Sequence, residues 1–149
     1  MTCTAGTTDD SDVSERGSAA VEFVVLSLML LLPLVYFVVT IGQIQAGMFA
    51  AVGAADYAAK VYVAGHDPVQ ARARAEQSVV MALQDLGFPP ESAAMDITCD
   101  RTDCLSSGAT VTVAVRLTVG LPMVPFGDAL QLDAAVLHST SSQKVGRFR

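Results

Sequence analysis

The chain has 149 residues, a length that leaves room for about one ordinary domain, and its formal net charge is −6 at pH 7. The few basic residues are scattered, and this pattern argues against a nucleic-acid-binding protein. Hydrophobic residues make up 52% of the sequence and are concentrated near the N-terminus, so the expected class is a small domain on a membrane anchor.

The N-terminal segment, residues 1–17, is polar and rich in Thr, Ser and Asp. It has no apolar period that could give it a face to bury, so we predict a disordered leader. Cys3 lies in this leader, far from the other two cysteines, Cys99 and Cys104. If a membrane separates them, Cys3 stays a reduced thiol.

A long uncharged segment follows, since no charged residue occurs from Phe23 to Ala55. Its most hydrophobic part, residues 23–44, spans roughly 33 Å at about 1.5 Å per residue, which matches the hydrocarbon core of a bilayer. We predict a long helix over residues 18–64 with a transmembrane segment at about residues 22–45. A cleaved secretory signal fits poorly, because the start is acidic and the apolar segment is too long. Pro33 is either a tolerated kink or a functional break.

Small residues recur every four positions after the membrane segment. Spacing of four places each row along one helix face, where small side chains allow another element to approach closely. This face packs either on the protein's own globular domain or on neighbouring subunits. The first row is Ala46, Ala50, Ala54 and Ala58, and the second is Gly47, Ala51, Ala55 and Ala59.

A second helix has clear end signals. Asp67 is placed as its N-cap, Pro68 takes the first helical position, Gln70 stands where a capping box has its partner, and Gly87 ends it. The pattern predicts an amphipathic helix of about five turns. Its predicted apolar face consists of Val69, Ala73, Val80, Leu83 and Leu86.

Three segments near the C-terminus alternate apolar and polar residues and are rich in β-branched side chains: "AAMDITCD", "ATVTVAVRLTV" and "LQLDAAVLHSTS". They predict three antiparallel strands. In the second strand, one face carries Val111, Val113, Val115, Leu117 and Val119, and the other carries Thr110, Thr112, Arg116 and Thr118. The expected fold is a membrane-anchored α+β protein with an extracytoplasmic domain of residues 65–149. In it a small sheet packs on the second helix and on the end of the long helix.

Cys99 and Cys104 flank the first connection between strands, and this position favours a disulfide that staples a hairpin. Such a short loop adds about 2 kcal/mol of stability in the loop-entropy account. Free thiols and a metal site are the alternatives. The metal site is disfavoured because no nearby histidine or third cysteine completes a tetrahedral set.

No pattern of catalytic residues is visible. The two histidines have ordinary positions, His66 at a helix start and His138 on or after the last strand. No catalytic triad, phosphate-binding glycine loop or set of metal ligands is present in the sequence. We therefore predict that the protein is not an enzyme and has no catalytic residue, metal or other cofactor.

Glu22 lies where the apolar segment begins. A charged side chain costs on the order of 3 kcal/mol at the centre of a membrane helix, and less toward the ends. Glu22 either marks the membrane interface and reaches into water, or it has a specific partner.

The stretch "RGSAAVEFVVLSLMLLLPL", Arg16 to Leu34, resembles the N-terminus of type IV pilin-like proteins, in particular the TadE-like pseudopilins of the Flp/Tad pilus assembly system. In that family a prepilin peptidase cuts after a glycine just before the apolar helix, and a glutamate followed by an aromatic comes five residues later. Gly17, Ser18, Glu22 and Phe23 match these positions. Major Flp pilins typically carry Tyr after the glutamate and little beyond the helix, whereas this chain carries Phe23 and a further domain of residues 65–149. The resemblance therefore implies a pilin-like minor pseudopilin.

The resemblance also implies roles and partners. Cleavage after Gly17 leaves Ser18 with an α-ammonium that Glu22 can pair with, in its own or an adjacent subunit, and this contact sets the axial register of subunits. The implied partners are the prepilin peptidase, other pilin or pseudopilin subunits, Tad inner platform proteins and membrane lipid. The implied location is the cell membrane, single-pass, with a cytoplasmic N-terminus and an extracytoplasmic C-terminal domain, or the pilus itself. The alternative is an uncleaved single-pass membrane protein with an extracytoplasmic interaction domain.

Overall fold

The computed structural model describes residues 11–122 and 133–146, with side chains from Ala19 onward. The chain divides into two compact units, Met1–Val38 and Val39–Arg149, which are considered separately below. Cys3 and the first ten residues of the predicted leader lie outside the described residues.

The first helix, α1, runs from Ser11 to Ala64. Its C-terminal end agrees with the predicted residue 64, whereas its N-terminal end lies inside the segment predicted to be a disordered leader. Pro33 lies within α1, and the helix continues on both sides of it. By length and composition, the part from Ala19 to Ala64 is apolar and long enough to cross a membrane.

The second helix, α2, covers Pro68–Asp85, and both of its predicted end signals are confirmed. The Asp67 carboxylate accepts hydrogen bonds from the backbone N–H groups of Val69 at 2.7 Å and Gln70 at 2.9 Å. Gly87 follows the helix with a φ of 78°, a left-handed conformation that favours glycine at a helix C-terminus.

The predicted apolar face of α2 is wrong at Val69, Ala73 and Leu86, which are exposed, whereas Leu83 is buried and Val80 is half-buried. Val69 is 77% exposed and Leu86 is 51% exposed. The reason is close approach, because a Cβ atom on Gly65 would lie 2.5 Å from the Cβ of Ala71. The start of α2 therefore packs through its small side chains rather than its large ones. The buried residues of α2 are Ala71, Ala75, Ser78, Val79 and Leu83.

The three predicted strands are confirmed as one antiparallel sheet in the order β1-β2-β3. The strands are β1 (Ala93–Cys99), β2 (Thr110–Gly120) and β3 (Asp133–Lys144), and a short 3-10 helix, Pro90–Ser92, precedes β1. Along β2 the burial alternates as predicted, with the valines and Leu117 inward. β3 extends to Lys144, beyond the predicted end at Ser141.

The alanine rows at the C-terminal end of α1 lie in the core of the second unit, together with α2 and the inner face of the sheet. Of the two interpretations of this small-residue face, packing on the protein's own domain or on neighbouring subunits, the structure shows packing on the protein's own domain. A Cβ atom on Gly47 would lie 2.8 Å from Val119 Cγ2 and 3.0 Å from Leu137 Cδ1, so α1 lies close against the sheet there. Ala46 is half-buried. The fully buried alanines of α1 are Ala50, Ala51, Ala54, Ala55, Ala58 and Ala59.

Candidate functional site

The predicted cleavage and register residues lie within the first unit. Gly17 and Ser18 belong to the helical backbone of α1, but their side chains lie outside the described residues. Glu22 and Phe23 follow one helical turn later, and both are exposed. Residues four apart on a helix are neighbours on one face, so Glu22 and Ser18 lie on the same face of α1, one turn apart. Among the side chains that the structure describes, none forms an ion pair with Glu22.

The apolar surface of α1 in this region is uncovered. Every described side chain from residue 19 to residue 39 is exposed, including Phe23 at 71% and Leu30 at 75%. A continuous apolar surface of this size marks contact with a membrane or with other proteins.

The second unit also leaves one side of α1 open. Large apolar side chains stand on the side away from the buried alanines, with Phe49 76% exposed. The same helix segment thus presents small residues to its own domain and large residues to its surroundings. The exposed residues are Met48, Phe49, Val52 and Tyr57.

The cysteine pair closes the connection that follows β1. The Sγ atoms of Cys99 and Cys104 lie at disulfide distance, 1.99 Å, and their Cα atoms are 5.4 Å apart. Asp100 receives the Thr110 backbone N–H on its carboxylate at 2.8 Å, and this hydrogen bond lowers the pKa of Asp100. The connection is therefore held both covalently and by hydrogen bonds.

The same connection is tied to the C-terminal end of β3. The Gly108 N–H donates to the Val145 carbonyl at 3.1 Å, and the Val145 N–H donates to the Ala109 carbonyl at 2.8 Å. Val145 is buried, and Gly108 has a φ of 79°. Val145, the residue after β3, is consequently fixed to the disulfide loop.

Asp56 links α1 to β3 and was missed by sequence reasoning. Its carboxylate accepts from Lys60 Nζ at 2.6 Å, and from Ser141 Oγ and Gln143 Nε2 at 3.4 Å each. The hydrogen bond from Lys60 is the main cause that holds the pKa of Asp56 below its ordinary value. The Asp–Lys spacing of four is visible in the sequence, but the two contacts from β3 arise only from the tertiary fold.

The remaining ionisable groups do not converge on a catalytic arrangement. Among the described residues, no group of three or more His, Cys, Asp or Glu side chains is placed to hold a metal ion. His66 and His138 are exposed and lie on different elements, at the start of α2 and on β3. The absence of enzymatic activity and of a cofactor stays a prediction.

No protein-family model, curated protein or solved structure matches the chain. The link to pilin-like proteins therefore depends on the residues from Arg16 to Leu34 and on what surrounds them.

Proposed function

We propose that this protein is a TadE-like minor pseudopilin that takes part in assembly of a Flp/Tad-type pilus and is processed by a prepilin peptidase after Gly17. The observation that carries the proposal is the placement of Gly17, Glu22 and Phe23 directly ahead of an apolar helix surface that the chain itself leaves uncovered. Apolar surface of this extent requires lipid or other helices to cover it.

In this proposal α1 crosses the cell membrane at about residues 22–45, with the N-terminus in the cytoplasm and the domain of residues 65–149 outside. An extracytoplasmic location suits the Cys99–Cys104 pair, because disulfides persist in oxidising compartments. The exposed side of α1 contacts lipid before assembly and other pilin or pseudopilin subunits, or Tad platform proteins, afterwards.

Processing requires the helix to open at its N-terminal end, since the backbone is helical from Ser11 through Ser18. Glycine is about 1 kcal/mol less favourable than alanine in a helix interior, so Gly17 lowers the cost of opening where the cut is proposed. Removal of residues 1–17 also takes away Asp9, Asp10, Asp12, Glu15 and Arg16. That loss of four acids and one base removes negative charge from the end that enters the membrane plane.

Cleavage creates the partner of Glu22. The nitrogen of Ser18 is a peptide nitrogen in the intact chain and becomes an α-ammonium once the leader is removed. Glu22 lies one helical turn further along, within reach of that ammonium in the same subunit or in its neighbour. In a low-dielectric environment such a pair is stronger than in water, and we propose that it fixes the axial register.

The first test is the mature N-terminus. The full chain is produced with its prepilin peptidase, and the protein from the membrane fraction is analysed by mass spectrometry. We expect a chain that begins "SAAVEF" at Ser18. Gly17→Val should keep the leader, whereas the matched control Gly6→Val should lose it. An intact leader on the wild-type chain would contradict the proposal and favour the uncleaved single-pass protein.

The second test separates processing from assembly. Glu22→Ala should insert and be cleaved normally but fail to support pilus assembly, because the new α-ammonium has no carboxylate to pair with. Glu91→Ala removes an exposed glutamate of the second unit and should assemble normally. If Glu22→Ala assembles as well as Glu91→Ala, Glu22 is only an interfacial residue and the register role is wrong.

A further inference from the structure

The outer face of the sheet, on the side away from the core, carries a hollow of about 240 Å³. Two adjacent rows of residues line it, and each row runs across the three strands. In one row Arg116 lies between Ala94 and His138, and in the other Ala114 lies between Asp96 and Thr140. Two of these positions hold only a methyl group, so Ala94 and Ala114 form the low floor between longer neighbours.

One end of the hollow is basic. Arg116 and His138 are directly opposite each other on neighbouring strands, and both are exposed. Neither forms an ion pair with an acid in the part of the chain that the structure describes. A guanidinium presents a planar set of donors that matches a carboxylate in two parallel hydrogen bonds. These groups stand out on a chain whose net charge is −6.

The other end is acidic, because Asp96 lies diagonally across from Arg116 in the same hollow. Asp96 and Arg116 form no ion pair with each other in the described structure, so both charges remain open to a ligand. A doubly charged anion such as phosphate is repelled by Asp96 more strongly than a single carboxylate is. A group that pairs a carboxylate with a nearby N–H donor complements both ends.

The size of the hollow limits its occupant. Sites for drug-sized ligands and cofactors measure roughly 300–1,000 Å³, so this hollow suits one side chain. We propose that it docks a glutamate or aspartate side chain of a partner protein, with the carboxylate on Arg116 and His138 and an adjacent N–H donor of the partner on Asp96. This inference does not depend on leader cleavage and stands or falls separately from the pilus proposal.

The test uses the full chain in detergent micelles and blocked tetrapeptides as probes. Binding of acetyl-Gly-Glu-Lys-Gly-amide is followed by NMR through the side-chain signals of Arg116 and His138. We expect saturable shifts, and about tenfold weaker binding when the probe's Glu is replaced by Gln, because a charge-assisted hydrogen bond pair is lost. Arg116→Gln should also weaken binding about tenfold. Lys144→Gln, which removes an exposed cation from β3, is the matched control and should bind as the wild type does.

Further variants keep the result interpretable. The wild type should bind the Glu-Lys probe more tightly than a Glu-Gln probe, because Asp96 attracts the lysine ammonium. Asp96→Asn should bind the two probes equally, because that carboxylate is gone. Each variant is checked for retention of the disulfide and of the near-ultraviolet circular dichroism spectrum; if Arg116→Gln unfolds, the probe comparison and Asp96→Asn decide. Equal binding of the Glu and Gln probes, an equal loss in Lys144→Gln, or tighter binding of inorganic phosphate than of the Glu probe would each overturn the proposal.

Discussion

The two parts of α1 have the same secondary structure and opposite surfaces. From residue 19 to residue 39 every described side chain is exposed and most are large and apolar. From Gly47 to Ala59 one face consists of small residues that are buried in the second unit. The first part therefore leaves its apolar surface uncovered, and the second part buries its small residues in the chain's own domain.

The difference follows from what each surface must fit. If α1 crosses a membrane as proposed, lipid chains rearrange around any side chain, so the first part could carry Leu, Met and Phe in almost any order provided that they are apolar. A sheet is a fixed surface at a fixed distance, so the second part needs side chains that fit the gap. Residue size along α1 thus distinguishes the part that is exposed from the part that is buried in the second unit.

The largest expected effect comes from shortening an apolar side chain on either side of this divide. Leu117 is fully buried beneath the helices, and Leu117→Ala should lower the free energy of unfolding of the second unit by about 2–5 kcal/mol. Leu30→Ala, the matched control in the exposed part of α1, should change it by less than about 0.5 kcal/mol. Guanidinium titration in micelles, followed by the near-ultraviolet signal of tyrosine, measures both. Equal losses would mean that the two regions do not differ as described.

Enlarging a small side chain tests the same divide on a single helix turn. Ala55 has no exposed surface, and Ala55→Leu should destabilise the second unit by about 1–3 kcal/mol through overpacking. Val52→Leu adds bulk on the open side of α1 and should cost less than about 0.5 kcal/mol. The same titration compares them. A tolerated Ala55→Leu would show that the helix can move away from the sheet.

The disulfide provides a smaller effect confined to the second unit. Replacing Cys99 and Cys104 together by Ser should cost about 2 kcal/mol, the loop-entropy value for so short a closed segment. The exposed part of α1 should keep its helical content in the far-ultraviolet spectrum. Reduction of the wild type should reproduce the loss of stability, and a reduced wild type as stable as the oxidised protein would show that hydrogen bonds alone hold the connection.

The smallest effect depends on pH. Because the pKa of Asp56 is lowered on folding, its contribution to stability is fully present above the ordinary value of 3.8 and is lost as the pH falls through the lower folded value. Asp56→Asn should therefore be less stable than the wild type at neutral pH, and the difference should shrink below pH 3.8. The effect is small since exposed ion pairs are screened by water and salt. Asp85→Asn, at the end of α2, is the control; a gap between wild type and Asp56→Asn that is independent of pH would contradict this account.

Features set by local chemistry could be predicted from the sequence. The strand alternation around Val113, the Asp67 cap and the helix end at Gly87 each depend on a few neighbouring residues, and the structure agrees with all three. The buried face of α2 could not be predicted, because it depends on how closely the connection after α1 approaches α2 at Gly65 and Ala71. A pattern of large apolar residues indicates which face of a helix is hydrophobic. It does not indicate which face approaches another segment so closely that only small side chains fit.

The candidate sites divide in the same way. Gly17 and Glu22 can be proposed from the sequence because their relation lies in spacing along one helix, and their roles stay predictions. The Cys99–Cys104 pair can be predicted because its loop is short, and its two Sγ atoms lie at disulfide distance. The hollow between Arg116, His138 and Asp96 was not found. Its residues are far apart in the sequence, and only the register of three strands brings them together.

Gly47 shows how this helix restricts sequence variation. A side chain there would strike Val119 and Leu137, whereas nothing lies within 4 Å of a Cβ atom built on Gly42 or Gly53. In a library that samples every residue at these three positions, selection for a folded second unit should return glycine at 47 and a wide range of residues at 42 and 53. A glycine kept at 47 while 42 and 53 vary freely would thus mark, in sequence data alone, a turn at which α1 lies close against the sheet.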